Sequence, residues 1–136
     1  MVVYNVRLIF VSNLKHIIMK KIQTILRTTE FESSSVKTKQ FTDFVKTFKS
    51  EFKKEMAKVG ATDIEFNIGH FYISGFFNVG TKLYYFSFGD IRGMNYQREH
   101  SLMYRTAQHR KDWTGGSNQW VTVDENMANQ MKNNLL

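Results

Sequence analysis

The chain has 136 residues and a mass of 16.0 kDa, which fits one globular domain with a core of its own. It contains no cysteine and no proline, which excludes disulfides, thiolate nucleophiles, cysteine-ligated metal sites and polyproline ligands. The net charge of +7, from 19 Lys and Arg against 12 Asp and Glu, favours a polyanionic partner such as nucleic acid or an acidic protein surface.

The N-terminal part of the chain is apolar and then helical in its pattern. Residues 2–11 are interrupted by Asn5 and Arg7, are too short to span a membrane, and lack the basic start and cleavage site of a signal peptide. Residues 14–28 have apolar side chains at helical intervals, which predicts a helix. We interpret residues 1–35 as an N-terminal extension. Residues 1–18 are either a strand or a weakly packed segment that precedes an alternative start at Met19.

The strongest pattern predicts a long amphipathic helix that begins after Thr38 and ends before Gly60. These two residues are typical of an N-cap and of a C-terminal stop. Lysines cover one face of this helix together with Glu51 and Glu55, which favours a solvated face over a phosphate-binding one. The other face is apolar and comprises Phe41, Phe44, Val45, Phe48, Phe52, Met56 and Val59.

The chain then changes to the alternation of a β-sheet. Ile64, Phe66 and Ile68 alternate with polar residues, the run continues through residues 71–73, and an aromatic strand over residues 83–88 completes a hairpin. The later elements are a strand at Ser101–Ala107, a loop at Asp112–Asn118, a short strand or helix entry at Trp120–Val123, and a last helix capped by Asp124.

These elements predict an α+β fold. We expect a small antiparallel sheet of three to four strands, packed by the long amphipathic helix and by the C-terminal helix. Residues 36–136 would form this single domain.

Motifs for enzymatic chemistry are weak. The four histidines lack the spacing of a zinc site, and neither a phosphate-binding loop nor a serine-nucleophile motif occurs, so we predict no metal and no cofactor. A metal-free ribonuclease stays open as an alternative, because a general base, an acid and a cation suffice for it. Its candidate residues are Glu65, His70, His100, Tyr104 and His109, with Arg105, Arg110 and Lys111 as cations.

The candidate functional segment runs from Arg92 to Lys111. It contains five Lys or Arg against one Glu, a local net charge of +4, and tyrosines and tryptophans interleave with and follow the cations. Cations beside rings that stack on bases are typical of single-stranded or structured RNA binding. The alternative is a surface loop whose aromatic side chains fold back on the core. The predicted contact residues are Arg92, Arg98, Tyr104, Arg105, His109, Arg110, Lys111 and Trp113.

Three runs carry a resemblance to a known group of proteins: GHFYISGFF at 69–77, YYFSFGDIRG at 84–93 and YRTAQHRKDWTGGSNQW at 104–120. Over roughly residues 36–132 the chain resembles a small domain carried on plasmids, conjugative elements and phages of low-GC Gram-positive bacteria. The DWTGGSN turn is the most specific part of this resemblance. Some accessory proteins of this kind act as anti-CRISPR inhibitors of Cas9.

The resemblance implies a protein of host takeover that acts in the bacterial cytoplasm. Its basic charge argues against mimicry of DNA, so the expected mode is binding of the guide RNA, or of the RNA-binding surface of Cas9. The expected partners are therefore Cas9 or its guide RNA, with no membrane involved. Two alternatives remain: the metal-free ribonuclease, truncating guide RNA, and a nucleic-acid-binding accessory protein for plasmid or phage maintenance.

Overall fold

The structure is a computed structural model that describes residues 22–96 and 102–135. The expectations for residues 1–18, for the first part of the helix predicted at 14–28, and for Arg98 and His100 lie outside these ranges.

The described chain forms one α+β fold, as the sequence predicts. Its strands make a single antiparallel sheet in the order β1-β2-β3-β4-β5. No helix within the described ranges is long and apolar enough to cross a membrane. The elements in chain order are α1 (Ile22–Thr28), α2 (Lys39–Ala57), β1 (Ala61–Ile68), β2 (Tyr72–Val79), β3 (Lys82–Asp90), a 3-10 helix (Ile91–Tyr96), β4 (Leu102–Ala107), β5 (Gln119–Val121) and α3 (Met127–Lys132).

The predicted number of three to four strands is wrong, because the sheet has five. The apolar run after Ile68 does not continue β1: the chain reverses there, and the backbone N–H of Gly69 donates to the carbonyl of Tyr72 at 3.0 Å. Phe71 takes a positive φ of 58° in this turn and still buries its ring. His70 is exposed in the turn and does not lie within a strand. The turn residues Gly69, His70 and Phe71 lie inside a longer apolar and aromatic run, so a single glycine does not mark the reversal in the sequence pattern.

Helix α2 covers one face of the sheet with a stripe of phenylalanines. Its N-terminus is capped as predicted, since the Thr38 hydroxyl accepts from the backbone N–H of Phe41 at 3.1 Å. The ring centroids of Phe48 and Phe88 are 5.2 Å apart, and those of Phe52 and Phe86 are 4.8 Å apart. Each such ring contributes about 1.5–3 kcal/mol of burial free energy, so this layer is the main apolar contact of the fold.

The lysine face of α2 is partly neutralised by acids of the same helix. Ion pairs join Lys39 to Asp43, Lys54 to Glu51 and Lys58 to Glu55, at 2.6, 3.1 and 3.0 Å. These pairs are spaced three or four residues apart, as expected for neighbours on a helix surface. They favour the predicted solvated face.

Helix α1 belongs to the same core, so the predicted boundary between residues 35 and 36 does not separate an extension from the domain. Ile22, Ile25 and Leu26 are buried in the core cluster. The Arg27 Nε donates to the carbonyl of Val123 at 3.0 Å, which ties α1 to the C-terminal segment. The described part of the domain thus includes residues 22–35.

The C-terminal helix begins later than predicted. Asn126 is its N-cap. Asp124 lies two residues before this N-cap, and its carboxylate accepts a hydrogen bond from the backbone N–H of Asn126 at 2.8 Å. Beyond the helix, the Tyr84 hydroxyl donates to the carbonyl of Leu135 at 2.5 Å. Burial, together with the neighbouring Tyr104, raises the pKa of Tyr84.

We expect Phe48→Ala to lower the free energy of unfolding by about 3–5 kcal/mol, because the ring is fully buried between α2 and the sheet. Thr47→Ala is the matched control: Thr47 is the exposed neighbour on the same helix, and its change should stay within about 0.5 kcal/mol. Urea unfolding followed by circular dichroism measures both. Equal stabilities of the two variants would contradict the assignment of the core layer.

Candidate functional site

The sheet has an inner face that packs on α2 and an outer face that points away from the hydrophobic core. Successive side chains of a strand point to opposite faces. Phe77, Phe86 and Tyr104 belong to the core cluster, whereas Phe76 and Tyr85 do not, although both are buried. The strand registers then assign the outer face to Tyr72, Ser74, Phe76, Tyr85, Ser87, Met103, Arg105 and Trp120.

Trp113 covers part of the outer face from the loop between β4 and β5. Its ring centroid lies 5.4 Å from that of Phe76 and 5.8 Å from that of Tyr85, and these two rings are themselves 5.3 Å apart. Phe76 is thereby fully buried, while Trp113 stays 52% exposed. The indole therefore both completes a small aromatic cluster and offers a surface to solvent.

Arg105 connects this loop to the sheet. Its guanidinium lies 4.5 Å above the centroid of the Tyr85 ring. It donates to the carbonyl of Trp113, and to the side-chain oxygen of Asn118 at 3.3 Å. Its Nε is buried and has no hydrogen-bond partner among the described residues. Because these contacts join both sides of the loop to β4, Arg105 is a scaffold for Trp113.

The loop itself is a tight turn closed by Asp112. This carboxylate accepts from the backbone N–H groups of Gln108 at 2.9 Å and Thr114 at 3.1 Å. These two hydrogen bonds, and then the nearby charges of His109 and Arg105, hold the pKa of Asp112 below its usual value. The sequence expectation of a loop at Asp112–Asn118 is confirmed.

Two glycines let this turn lie close against β4. Gly116 has a φ of +53°, and a Cβ on it would lie 2.5 Å from the Thr106 hydroxyl oxygen. A Cβ on Gly115 would lie 2.3 Å from the Asp112 carboxylate. The turn therefore has no room for larger residues, and it fixes Trp113 over the sheet.

Arg110 connects the same loop to strands β1 and β2. It donates to the side-chain oxygen of Asn78 at 2.5 Å and to the carbonyl of Asp63 at 2.8 Å, and it approaches the Glu65 carboxylate to 3.5 Å. Arg110 therefore links the loop to β1 and β2, and the Glu65 carboxylate of β1 compensates its charge.

Arg92 is compensated in the same way at the far end of β3. Its guanidinium pairs with the Asp90 carboxylate at 2.5 Å and lies 4.6 Å above the centroid of the Phe71 ring. The hydrogen bond from Arg92 is the main reason that the pKa of Asp90 is lowered. The local charge of +4 counted along residues 92–111 therefore overstates the field, because Asp90, two residues before the segment, and Glu65 of β1 pair with its arginines.

The predicted contact residues do not form one continuous surface. Arg105 holds Trp113, Arg110 contacts β1 and β2, and His109 and Lys111 are exposed in the loop. The prediction of Tyr104 as a contact residue is wrong: its ring is 1% exposed and faces the core, where the Asn134 amide donates to its hydroxyl at 3.2 Å. The core side of β4 alternates with the outer side, and the sequence count along the segment ignored this alternation.

Two outer-face aromatics were not among the predicted residues. Tyr72 is 46% and Trp120 is 50% exposed. With Trp113 they are the exposed large hydrophobic side chains of the described chain, and all three lie on the outer face. The alternation of β2 is the sequence signal for Tyr72, and the apolar run that leads from β1 into β2 hides it.

The residues considered for ribonuclease chemistry have different structural roles. Glu65 pairs with Arg110, Tyr104 faces the core, and His70 lies in the β1–β2 turn. Within the described ranges no three His, Asp or Glu side chains are grouped to hold a metal ion. A surface groove of about 440 Å³ lies between α1 and residues 123–126, and none of the predicted site residues line it.

Comparison of the chain with protein-family models, with curated proteins and with solved structures gave no match.

We expect Gly116→Ala to destabilise the loop more than Gly80→Ala. Both glycines have positive φ, +53° and +60°, so both substitutions carry the same backbone strain of about 1–3 kcal/mol. A Cβ at Gly80 meets open space, whereas one at Gly116 meets Thr106. The measurements are the urea midpoint and the tryptophan fluorescence maximum, which should shift to the red only for Gly116→Ala. Identical behaviour of the two variants would contradict the close packing of the turn.

The lowered pKa of Asp112 predicts a pH-dependent contribution to stability. A depressed carboxylate pKa stabilises the folded state above the unfolded value of 3.8, and this contribution disappears as the pH falls through the lower, folded value. The difference in urea midpoint between the wild type and Asp112→Asn should therefore be largest near neutral pH and shrink below about pH 4. Asp43→Asn controls for loss of one negative charge. A difference that stays constant down to pH 2.5 would contradict the prediction.

Proposed function

We propose that this protein is a non-enzymatic binding protein encoded by a mobile element, and that it inhibits Cas9 by binding guide RNA or the RNA-binding surface of the effector. The observation that carries the proposal is the half-exposed Trp113, held in a fixed turn of the loop that also exposes Lys111, in a chain of net charge +7. The resemblance of the sequence to accessory proteins of Gram-positive mobile elements supports the choice of target.

The turn has properties that suit RNA recognition. A half-exposed indole can stack on an unpaired base, and such stacking tolerates any base sequence. Because Arg105 and Asp112 already fix the turn, little conformational freedom is lost when the indole binds. Lys111 is exposed and pairs with no carboxylate within the described ranges, so its ammonium is available to a phosphate.

The ribonuclease alternative is less well supported by the same residues. A general base and an acid must both reach the ribose and the leaving oxygen. Glu65 is engaged by Arg110, and the Tyr104 ring is buried. Binding without cleavage is therefore the proposal, and RNA cleavage is one of the outcomes that would overturn it.

The test is a DNA-cleavage assay in which the purified protein is added to Cas9 before or after the guide RNA. We expect stronger inhibition when the protein is added first, because bound guide would no longer be accessible. Lys111→Glu should weaken inhibition at least tenfold. Lys46→Glu makes the same charge change on the exposed face of α2 and should leave inhibition unaltered. Reversal at Arg105 or Arg110 is unsuitable as a contact test, because both residues support the loop.

Two results would overturn the proposal. One is full DNA cleavage in both orders of addition. The other is shortening of labelled guide RNA during incubation with the protein in EDTA, which would identify the ribonuclease.

A further inference from the structure

The three exposed aromatic side chains share the outer face and surround one patch of it. The Ser87 hydroxyl donates to the Tyr72 hydroxyl at 3.0 Å, so the Tyr72 ring extends from β2 across to β3. Trp113 contacts Tyr85, which lies two residues away from Ser87 on the same strand, roughly 7 Å along it. Two rings are therefore positioned along β3.

The third ring lies across the sheet. Ser87 is opposite Met103 in the register of β3 and β4, and Met103 is opposite Trp120 in the register of β4 and β5. Two strand spacings separate Ser87 from Trp120, about 10 Å. The outer-face residues between the rings are Ser74, Ser87 and Met103, and both serines are buried. Three half-exposed rings therefore surround these residues on the outer face.

We infer that this outer face is a platform for single-stranded RNA, on which bases stack against Tyr72, Trp113 and Trp120. The inference deepens the proposed function and rests on it for the choice of RNA. It adds the surface, two residues outside the predicted contact set, and the preference for unpaired RNA.

The separation of the rings favours a nucleic acid over a protein partner. A protein-binding patch is typically a contiguous apolar surface, whereas the hydroxyl residues Ser74 and Ser87 lie between Tyr72 and the aromatic cluster of Trp113 on this face. Rings held apart on an antiparallel sheet can each stack on one splayed base, whereas a paired duplex keeps its bases inside.

The charges and polar groups around the rings favour RNA as the occupant. The net charge of +7 attracts polyanions, and Lys111 and His109 are exposed in the same loop as Trp113. The Tyr72 hydroxyl and the exposed Asn67 amide on the neighbouring β1 can hydrogen-bond a ribose 2′-hydroxyl, which DNA lacks.

The chain offers a direct optical test, because it has two tryptophans, Trp113 and Trp120, and both lie on this face. The variants Trp113→Phe and Trp120→Phe each keep one tryptophan as the reporter. A 12-nucleotide single-stranded RNA of mixed sequence, without Cas9, is the probe. We expect the RNA to quench the fluorescence of both variants, since a base stacks on each indole.

Affinity is measured in parallel by anisotropy of the same RNA carrying a fluorescent label. Loss of one ring should weaken binding roughly 5- to 150-fold, the range that corresponds to stacking of one base. Tyr72→Ala and Trp120→Ala are the informative variants, because neither side chain belongs to the Asp112 turn. Tyr72→Phe and Trp120→Phe keep a ring and should retain most of the affinity, and Lys46→Ala should change it little.

Several outcomes would overturn the inference: no binding of the RNA, binding that the Tyr72→Ala and Trp120→Ala double variant retains, or binding of duplex RNA or of single-stranded DNA of the same sequence at least as tightly. The failures are separable. If the RNA binds the platform but Cas9 is not inhibited, the proposed function fails and the platform stands. If the double variant still binds the RNA and inhibits Cas9 fully, the platform fails and the proposed function stands.

Discussion

The packing of the α2 phenylalanines against the sheet sets the orientation of every strand. Phe48 and Phe52 contact the rings of Phe86 and Phe88, so these two side chains of β3 must face the helix. Since side chains alternate along a strand, Tyr85 and Ser87 are forced to the opposite face. The strand registers then determine which side chains of β2, β4 and β5 lie on each face of the sheet. The aromatic surface proposed for RNA thus follows from a contact on the other side of the sheet.

A second aromatic cluster then builds on that outer face. Phe76 is as fully buried as the core phenylalanines, although it points away from the core. Trp113 and Tyr85 cover it, and Arg105 holds the loop of Trp113 in place. The Trp113 indole therefore stabilises the fold through the part that packs on this cluster. Its exposed part remains available for binding.

The positions of the acids in the fold show which basic residues of the segment are compensated. Arg92 pairs with Asp90, and Arg110 with Glu65, and both acids lie outside the basic segment in the sequence. The arginines act mainly as connectors between elements, whereas Lys111 is exposed within the loop. A binding argument based on arginine content alone would select residues that the fold itself requires.

The sequence by itself determined the α+β class, the capped helix α2, the hairpin of β2 and β3, and the loop that carries Trp113, because each depends on local periodicity or turn chemistry. Only the tertiary structure decided that residues 69–71 reverse the chain, that α1 belongs to the core, and that Tyr104 is buried while Tyr72 and Trp120 are exposed. The physical reason is that the face of a strand is assigned by what packs on it. The contacts that assign it join residues far apart in the chain, and no spacing along the sequence encodes them.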